Sequence, residues 1–275
     1  VMHMDLNLVF YGVASLFYLA VGLKIVNTFK KRGDTAPVWA LPVIGLGILA
    51  HFWILQSVAF PAPQTLVVGF GISVSAMCFF STLILFFGAL YSRVHALYAI
   101  VLILSAIGVW FPQFFPSETS KVVGATLGFK LHIVFGIVAY SFMMMAIVQA
   151  ILMSILNTRL KSHLALNEPE GLVATMPNLR MMEKILFRVI SACFIFLTLT
   201  ILGGMVSTAQ YLDTLLAFDH KTVLTILSWV LFGILLLGRR FLGWRSGKAL
   251  VLFWVAVLLQ VVAYFAYRFV LDVLV

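Results

Sequence analysis

The stretch that decides the fold is Phe129–Asn157, FKLHIVFGIVAYSFMMMAIVQAILMSILN. A helix of this length crosses a bilayer, and its only ionisable groups after Lys130 belong to His132 and Tyr140. At helical spacing one face is made mostly of small residues: His132, Phe135, Gly136, Ala139, Met143, Ala146 and Ala150. Small residues let a neighbouring helix or a flat ligand approach the backbone closely, so His132 is either a packing histidine or a ligand.

The chain as a whole has the composition of a helical membrane protein. Hydrophobic residues make up 63% of the 275 residues and charged residues only 10%. The longest polar connection, about 158–184, is too short to bury a core of its own. The sequence therefore predicts one integral membrane domain over residues 1–275, an all-α polytopic bundle of eight transmembrane helices. These helices are expected near residues 6–27, 37–60, 66–91, 94–112, 129–157, 185–207, 220–238 and 249–271. The first of them is expected to be a membrane span and not a signal peptide, because Asp5 precedes it and no basic residue does.

The net charge of +9 is distributed unevenly across this predicted bundle. With these spans, 14 of the 18 Lys and Arg residues fall on one side, and the other side holds Lys121, Lys130, Lys221 and Arg268. The positive-inside rule makes the first side cytoplasmic and places both termini outside. The basic excess thus sets topology and does not indicate a nucleic-acid partner. The expected location is the bacterial inner membrane, with lipid around the helices.

The two cysteines and the histidines differ in what they predict. Cys78 and Cys193 lie in separate apolar runs and are expected to be small buried side chains, with no redox or metal role. His51, His132 and His220 fall in the outer half, or at the outer boundary, of three different helices. The remaining histidines lie elsewhere: His3 at the outer end of the chain, and His95 and His163 on the inner side.

Neutral imidazoles in apolar, glycine-lined surroundings suit the axial positions of haem iron. The candidate iron ligands are His132, His220 and His51, with Gly136 and Gly47 beside two of them as lining residues. The haem would be b-type and held non-covalently. His132 and His220 lie within roughly 5 Å of one level, and His51 lies about 8 Å deeper.

Alternatives remain open for each of these histidines. His51 could ligate a second haem, join the first site through helix tilt, line the pocket, or simply hydrogen-bond to a neighbouring carbonyl or hydroxyl. His220 could be a solvated residue after the helix N-cap Asp219, with Thr222 three residues on. The number of haems is likewise open.

Four blocks, in this order, resemble the CcsA/CcmC-type cytochrome c assembly proteins. They are LHIVFGIVAYSF at 131–142, MEKILFRVISACFIFLTLTILGG at 182–204, HKTVLTILSW at 220–229 and GWRSGKA at 243–249. The resemblance covers roughly residues 60–270 and is closest to the short stand-alone branch called YpjD-like or HemX-like. It implies a haem-handling membrane protein in which His132 stands where the family has its outer haem-ligating histidine.

The chain also departs from that family. The position of the family's tryptophan-rich loop reads TAQYLDTLLAFD, residues 208–219, with no tryptophan. No histidine follows the last helix, and Gly238-Arg239-Arg240 replaces a histidine near the inner end of the seventh. The expectation is therefore an accessory or regulatory haem-binding protein, not an enzyme, whose partners are haem, lipid and another membrane protein. The alternative is a haem-free membrane regulator or permease-like subunit that acts through the cytoplasmic loop 158–184.

Overall fold

The structure, a computed structural model, describes residues 2–28, 39–90, 96–116, 121–161, 176–212, 219–244 and 246–274. The longer helices are α1 (Met2–Thr28), α2 (Ala40–Ala59), α3 (Phe70–Ala89), α4 (Ala96–Gly108), α6 (Leu127–Lys161), α7 (Leu179–Leu212), α8 (His220–Phe241) and α9 (Ser246–Val261). Shorter elements are α5 (Phe111–Phe114), β1 (Thr65–Val67) and β2 (Lys121–Val123). After α9 the helix continues through a π-helical turn (Val262–Ala266), α10 (Tyr267–Phe269) and a second π-helical turn (Val270–Leu274).

Eight helical segments among the described residues are long and apolar enough to cross a membrane. They are Asn7–Asn27, Ala40–Ala59, Phe70–Ala89, Ala96–Phe114, Leu127–Arg159, Leu179–Ala209, His220–Phe241 and Ala249–Asp272. This confirms the predicted all-α polytopic bundle. The side of the membrane that each terminus faces stays a prediction.

Hydroxyl side chains in these apolar helices are satisfied mainly by their own backbone. Ser141, Ser154 and Thr200 each donate to the carbonyl four residues earlier, over 2.7–2.9 Å. A hydroxyl in hydrocarbon needs such a partner, because an unpaired polar group there is costly. Because these hydroxyls are already bonded, serine and threonine in the spans do not require water beside them.

Helices α1 to α4 pack as one group, and α3 also contacts α6. Helix α6 makes its most extensive contact with α7, and α8 packs against α9. Close approach within the first group occurs at Gly22, where an added Cβ would lie 3.2 Å from the carbonyl oxygen of Ala99. The contact of α6 with α7 is the one that positions His132.

Two short strands on the predicted outer side correct the sequence prediction. The sequence predicts a third helix from about residue 66, whereas residues 65–67 form β1, which pairs antiparallel with β2, and α3 begins only at Phe70. Gln64 has a φ of 66°, which turns the chain into β1, and valines and a threonine favour the strands. The two strands are far apart in the chain, so no local pattern indicates their pairing.

Helices α6 and α7 extend further than predicted at the ends that the sequence places on the inner side. Helix α6 runs to Lys161 and α7 begins at Leu179, so both reach into the predicted cytoplasmic loop 158–184. The prediction that this loop is a docking surface falls mainly on residues 162–175, which lie outside the described residues.

The end of the last helix is tied to the start of α3. The backbone N–H of Phe70 donates to Asp272 over 2.7 Å, and the Arg268 guanidinium donates to the carbonyl of Val68. Arg268 and Asp272 also form an ion pair at 3.7 Å. These contacts hold the π-helical end of the chain against β1 and α3, and so close one wall of the cavity described next.

Candidate functional site

His132 lies in the second turn of α6 and is half-buried against α7. Its ring nitrogen Nδ1 is 2.8 Å from the backbone carbonyl oxygen of Thr200. A carbonyl can only accept a hydrogen bond, so Nδ1 must carry the proton and donate it. In a neutral imidazole this leaves the lone pair on Nε2, which makes no hydrogen bond within the described part of the chain. Metal-binding histidines commonly share this arrangement, in which the protein holds one nitrogen and the other can act as a ligand.

Two glycines of α7 allow this close contact. A Cβ added at Gly203 would lie 3.3 Å from Cα of His132, and one added at Gly204 would lie 3.1 Å from Cε1 of the imidazole. Glycine here removes the side chain that would otherwise push α6 or the ring away. On α6, a Cβ at Gly136 would meet Thr200 at an ordinary 3.5 Å, so Gly136 opens space next to His132 without being sterically required.

His132 lines a cavity of about 540 Å³ between α6, α7, α8 and the last helix. This volume is in the range of sites that hold cofactor-sized ligands, ~300–1,000 Å³. Its wall includes apolar and aromatic residues of these helices: Phe129, Ile133, Ile137, Leu197, Ile201, Met205, Ile226, Ala263, Tyr264, Phe265 and Leu271. The consecutive residues 263, 264 and 265 all line it, and they belong to a π-helical turn, a feature that occurs often at functional sites.

The cavity has a polar floor about 12 Å deeper than His132, two helical turns along α6. There Tyr140 donates its hydroxyl to the carbonyl of Gln260 over 3.1 Å and accepts from the Gln260 amide over 3.0 Å. Gln260 is only 4% exposed, and its Oε1 has no partner among the described residues. Beside this pair, the hydroxyls of Ser73 and Tyr264 lie 2.8 Å apart. The floor therefore has hydrogen-bonding groups at a depth where the lipid tails around the protein have none.

The start of α8 forms the end of the cavity that lies on the predicted outer side. Asp219 is the N-cap, as the sequence predicts, and accepts the backbone N–H of Thr222 over 2.8 Å. Partial burial raises the pKa of this carboxyl, but the hydrogen bonds from Thr222 and the nearby charge of Lys221 outweigh that effect and leave its pKa below the ordinary value. Asp219, Lys221 and Thr222 all line the cavity.

His220 lies at the rim of the cavity and is not among the lining residues. It is exposed, and its ring packs against Tyr267 with centroids 5.0 Å apart. The structure thus brings His132 and Gly136 to the cavity and leaves His220 beside it. The role of His220 as a second ligand stays a prediction.

His51 lies in a separate, fully buried cluster among the first helices. It is 0% exposed, with Nε2 2.9 Å from the Ser75 hydroxyl and Nδ1 3.4 Å from the Tyr18 hydroxyl. A Cβ at Gly47 would lie 2.8 Å from the Tyr18 ring, so the space beside Gly47 is filled by Tyr18. This placement favours the packing alternative for His51, and its role as a ligand stays a prediction.

Sequence reasoning did not find Thr200, Gln260 or Tyr140 as site residues. Gln260 had a detectable signal, since it is an isolated amide in the apolar run Val251–Ala263. Thr200 acts through its backbone, which no side-chain pattern reveals. Among the described residues, no group of three or more His, Cys, Asp or Glu could hold a metal ion.

Comparison with known proteins places these helices in a family. The profile of the family described as cytochrome C assembly protein matches residues 46–275. The chain is similar to Inner membrane protein YpjD of Escherichia coli strain K12, with 30% identity over 183 residues, 65% of either chain. It is also similar to the Uncharacterized 28.8 kDa protein in nifR3-like 5'region of Azospirillum brasilense, with 31% identity over 144 residues, 52% of either chain. No solved structure shows significant similarity to the chain.

The YpjD match spans 65% of that relative's length, whereas the family match includes every helix that lines the cavity. YpjD is named as an inner membrane protein, and the eight candidate spans of this chain agree with that location. The chain is a multi-pass inner-membrane protein and belongs to the cytochrome c assembly protein family.

Proposed function

We propose that this protein binds a b-type haem in the cavity, with His132 as the axial ligand, and serves cytochrome c assembly in an accessory or regulatory role. The observation that carries this proposal is the hydrogen bond from Nδ1 of His132 to Thr200, which fixes the tautomer that keeps a lone pair on Nε2. Haem supplies an iron that takes such a nitrogen as its axial ligand.

The chemistry of the cavity fits this cofactor. Much of its wall is apolar and aromatic, and Gly136 leaves space next to the imidazole of His132. Covalent attachment needs cysteines at the haem edge, but Cys78 and Cys193 are both buried outside the lining. Non-covalent binding is therefore the mode that these residues support.

The accessory or regulatory role is supported by residues 208–219, where the chain has TAQYLDTLLAFD and no tryptophan. Tryptophans at this position would offer large planar rings that can stack on a flat macrocycle. Lacking tryptophan there, this chain is better suited to holding haem than to presenting it. Another membrane protein would then act on the haem or respond to it.

The test is the absorption spectrum of the protein purified from haem-replete cells. We expect a Soret band and α band in the wild type, and loss of most haem per protein in His132→Ala. His95→Ala is the matched control, since the sequence places that histidine on the inner side. A wild type that is haem-free under these conditions would favour the regulator or permease-like alternative, and full haem retention in His132→Ala would remove His132 as the ligand.

A further inference from the structure

Ser207 is a buried hydroxyl with no partner at the outer end of the cavity. It lines the cavity and is only 6% exposed, yet its Oγ makes no hydrogen bond to any described residue. The other serines and threonines of α7 are different: Ser191, Thr198, Thr200 and Thr208 each donate to the carbonyl four residues earlier. A buried hydroxyl that forgoes this bond has a donor left for a ligand.

Lys221 is a cation at the same end of the cavity. Among the described residues it has no carboxylate partner within 4 Å, and its Nζ lies 3.7 Å from the centre of the Tyr267 ring. The ring face holds the ammonium in place without neutralising it. Arg268 also lines the cavity, but it is occupied with the carbonyl of Val68 and with Asp272. Lys221 is thus the cation that this end can offer to a ligand.

The packing of α7 against α8 brings Ser207 and Lys221 to one level. The Trp229 indole donates to the hydroxyl of Thr198 over 2.8 Å, and these two helices run antiparallel. Ser207 lies nine residues outward from Thr198 on α7. On α8, His220 lies nine residues outward from Trp229, and Lys221 is the next residue. His132 contacts Gly203, one turn further in, so its ring lies about 6 Å below that level.

The start of α8 contributes backbone N–H groups there, with the carboxylate of Asp219 as the N-cap. The partial charge of a helix N-terminus favours an anion within its first turn. The carboxylate of Asp219 is already used to cap Thr222. The outward end of the cavity is therefore lined by an unpaired hydroxyl, a cation and a helix N-terminus with its capping carboxylate Asp219, and the walls further in are apolar.

We propose that Ser207 and Lys221 bind a carboxylate of the ligand, so that the cavity selects a porphyrin in its dicarboxylic acid form and holds it with the carboxylates facing outward. This inference rests on the proposed function and deepens it. A porphyrin has both carboxylates on one edge, and burying a carboxylate is unfavourable unless a cation and hydrogen-bond donors meet it. The same groups could meet the phosphate of an anionic lipid headgroup, and the test below separates the two sources.

The test uses metal-free protoporphyrin IX and its dimethyl ester, so that iron ligation plays no part. Each is titrated into the full-length protein in phosphatidylcholine nanodiscs, with empty nanodiscs as the blank, and binding is followed by energy transfer from tryptophan. The wild type is compared with Lys221→Met and Ser207→Ala. Lys130→Met is the control, because Lys130 is exposed near the outer start of α6 and does not line the cavity.

We expect the wild type and Lys130→Met to bind the free acid about tenfold more tightly than the diester, the difference that a charge-assisted hydrogen bond produces. In Lys221→Met the ratio of free-acid affinity to diester affinity should fall to near one, with the diester affinity unchanged. Ser207→Ala should lower the same ratio, but by less. Equal binding of acid and diester by the wild type would overturn the inference. An acid-to-diester affinity ratio in Lys221→Met equal to that of the wild type would also overturn it.

A second series replaces part of the phosphatidylcholine with phosphatidylglycerol. The preference for the free acid should persist, and its disappearance in the wild type would assign Lys221 to a lipid phosphate and overturn the inference. Failure of the proposed function would look different. If His132→Ala keeps its haem spectrum while the acid preference depends on Lys221, the iron ligand is misassigned and the carboxylate site stands.

Discussion

The Nδ1 atom of His132 on α6 and the carbonyl oxygen of Thr200 on α7 lie 2.8 Å apart, where Gly203 and Gly204 let the two helices come close together. The carbonyl of Thr200 lies inside a helix, where one lone pair already serves the helical ladder. The second lone pair holds the imidazole. The orientation of His132 thus depends on how near α7 comes, which in turn depends on Gly203 and Gly204.

Gly204→Ala should disturb the imidazole without unfolding the protein. The new Cβ would lie 3.1 Å from Cε1 and 3.2 Å from Nδ1 of His132, so the ring must shift by a few tenths of an ångström. We expect haem affinity to fall about tenfold, since a misplaced ligand atom is costly in metal sites. Gly233→Ala is the control, because its Cβ would meet Phe194 at an ordinary 3.5 Å. Equal haem affinity in the two variants would contradict this role of Gly204.

His51→Ala should lower stability and leave haem content unchanged. The substitution leaves the hydroxyls of Tyr18 and Ser75 without their buried partner, at a cost of about 2 kcal/mol. The check is a thermal unfolding curve in detergent together with the haem-to-protein ratio of the folded fraction. A partial loss of haem per folded protein would instead indicate a second haem at His51, as the sequence allows.

His220→Ala should retain haem and its spectrum. In the structure the His220 ring packs on Tyr267 outside the cavity lining, so His132 is the histidine that the cavity presents. The measurement is the absorption spectrum of the ferric and ferrous variant. A change from a six-coordinate low-spin to a five-coordinate high-spin form would identify His220 as the second axial ligand that the sequence predicts.

Both termini should lie outside the cytoplasm. The expectation comes from the 14 Lys and Arg residues on one predicted side against four on the other. Alkaline phosphatase fused after Val275 should be active, because it folds only in the periplasm, and green fluorescent protein at the same point should not fluoresce. The opposite pattern would place the cavity on the cytoplasmic side.

The sequence predicts the spans well because each is a local property. Twenty apolar residues suffice to indicate a membrane helix, and all eight appear in the structure. The site is harder, because depth along a helix follows from counting residues whereas rotation about its axis depends on the neighbouring helices. His51 and His132 both stand in apolar runs of sequence. Helix packing directs His51 towards Tyr18 and Ser75, and it directs His132 towards the cavity. Tyr140 and Gln260 meet only through tertiary contact, so no local pattern joins them.

The central claim is that Nε2 of His132 is an axial ligand of haem iron, and chemical rescue tests it most directly. In His132→Gly the imidazole is removed, and space next to Thr200 and Gly204 is left for a free imidazole molecule. We predict that the purified variant has little haem absorbance when haem is added, and that millimolar imidazole restores the wild-type Soret and α bands. His51→Gly should show no such dependence. A His132→Gly protein with the full wild-type spectrum before imidazole is added would contradict the account.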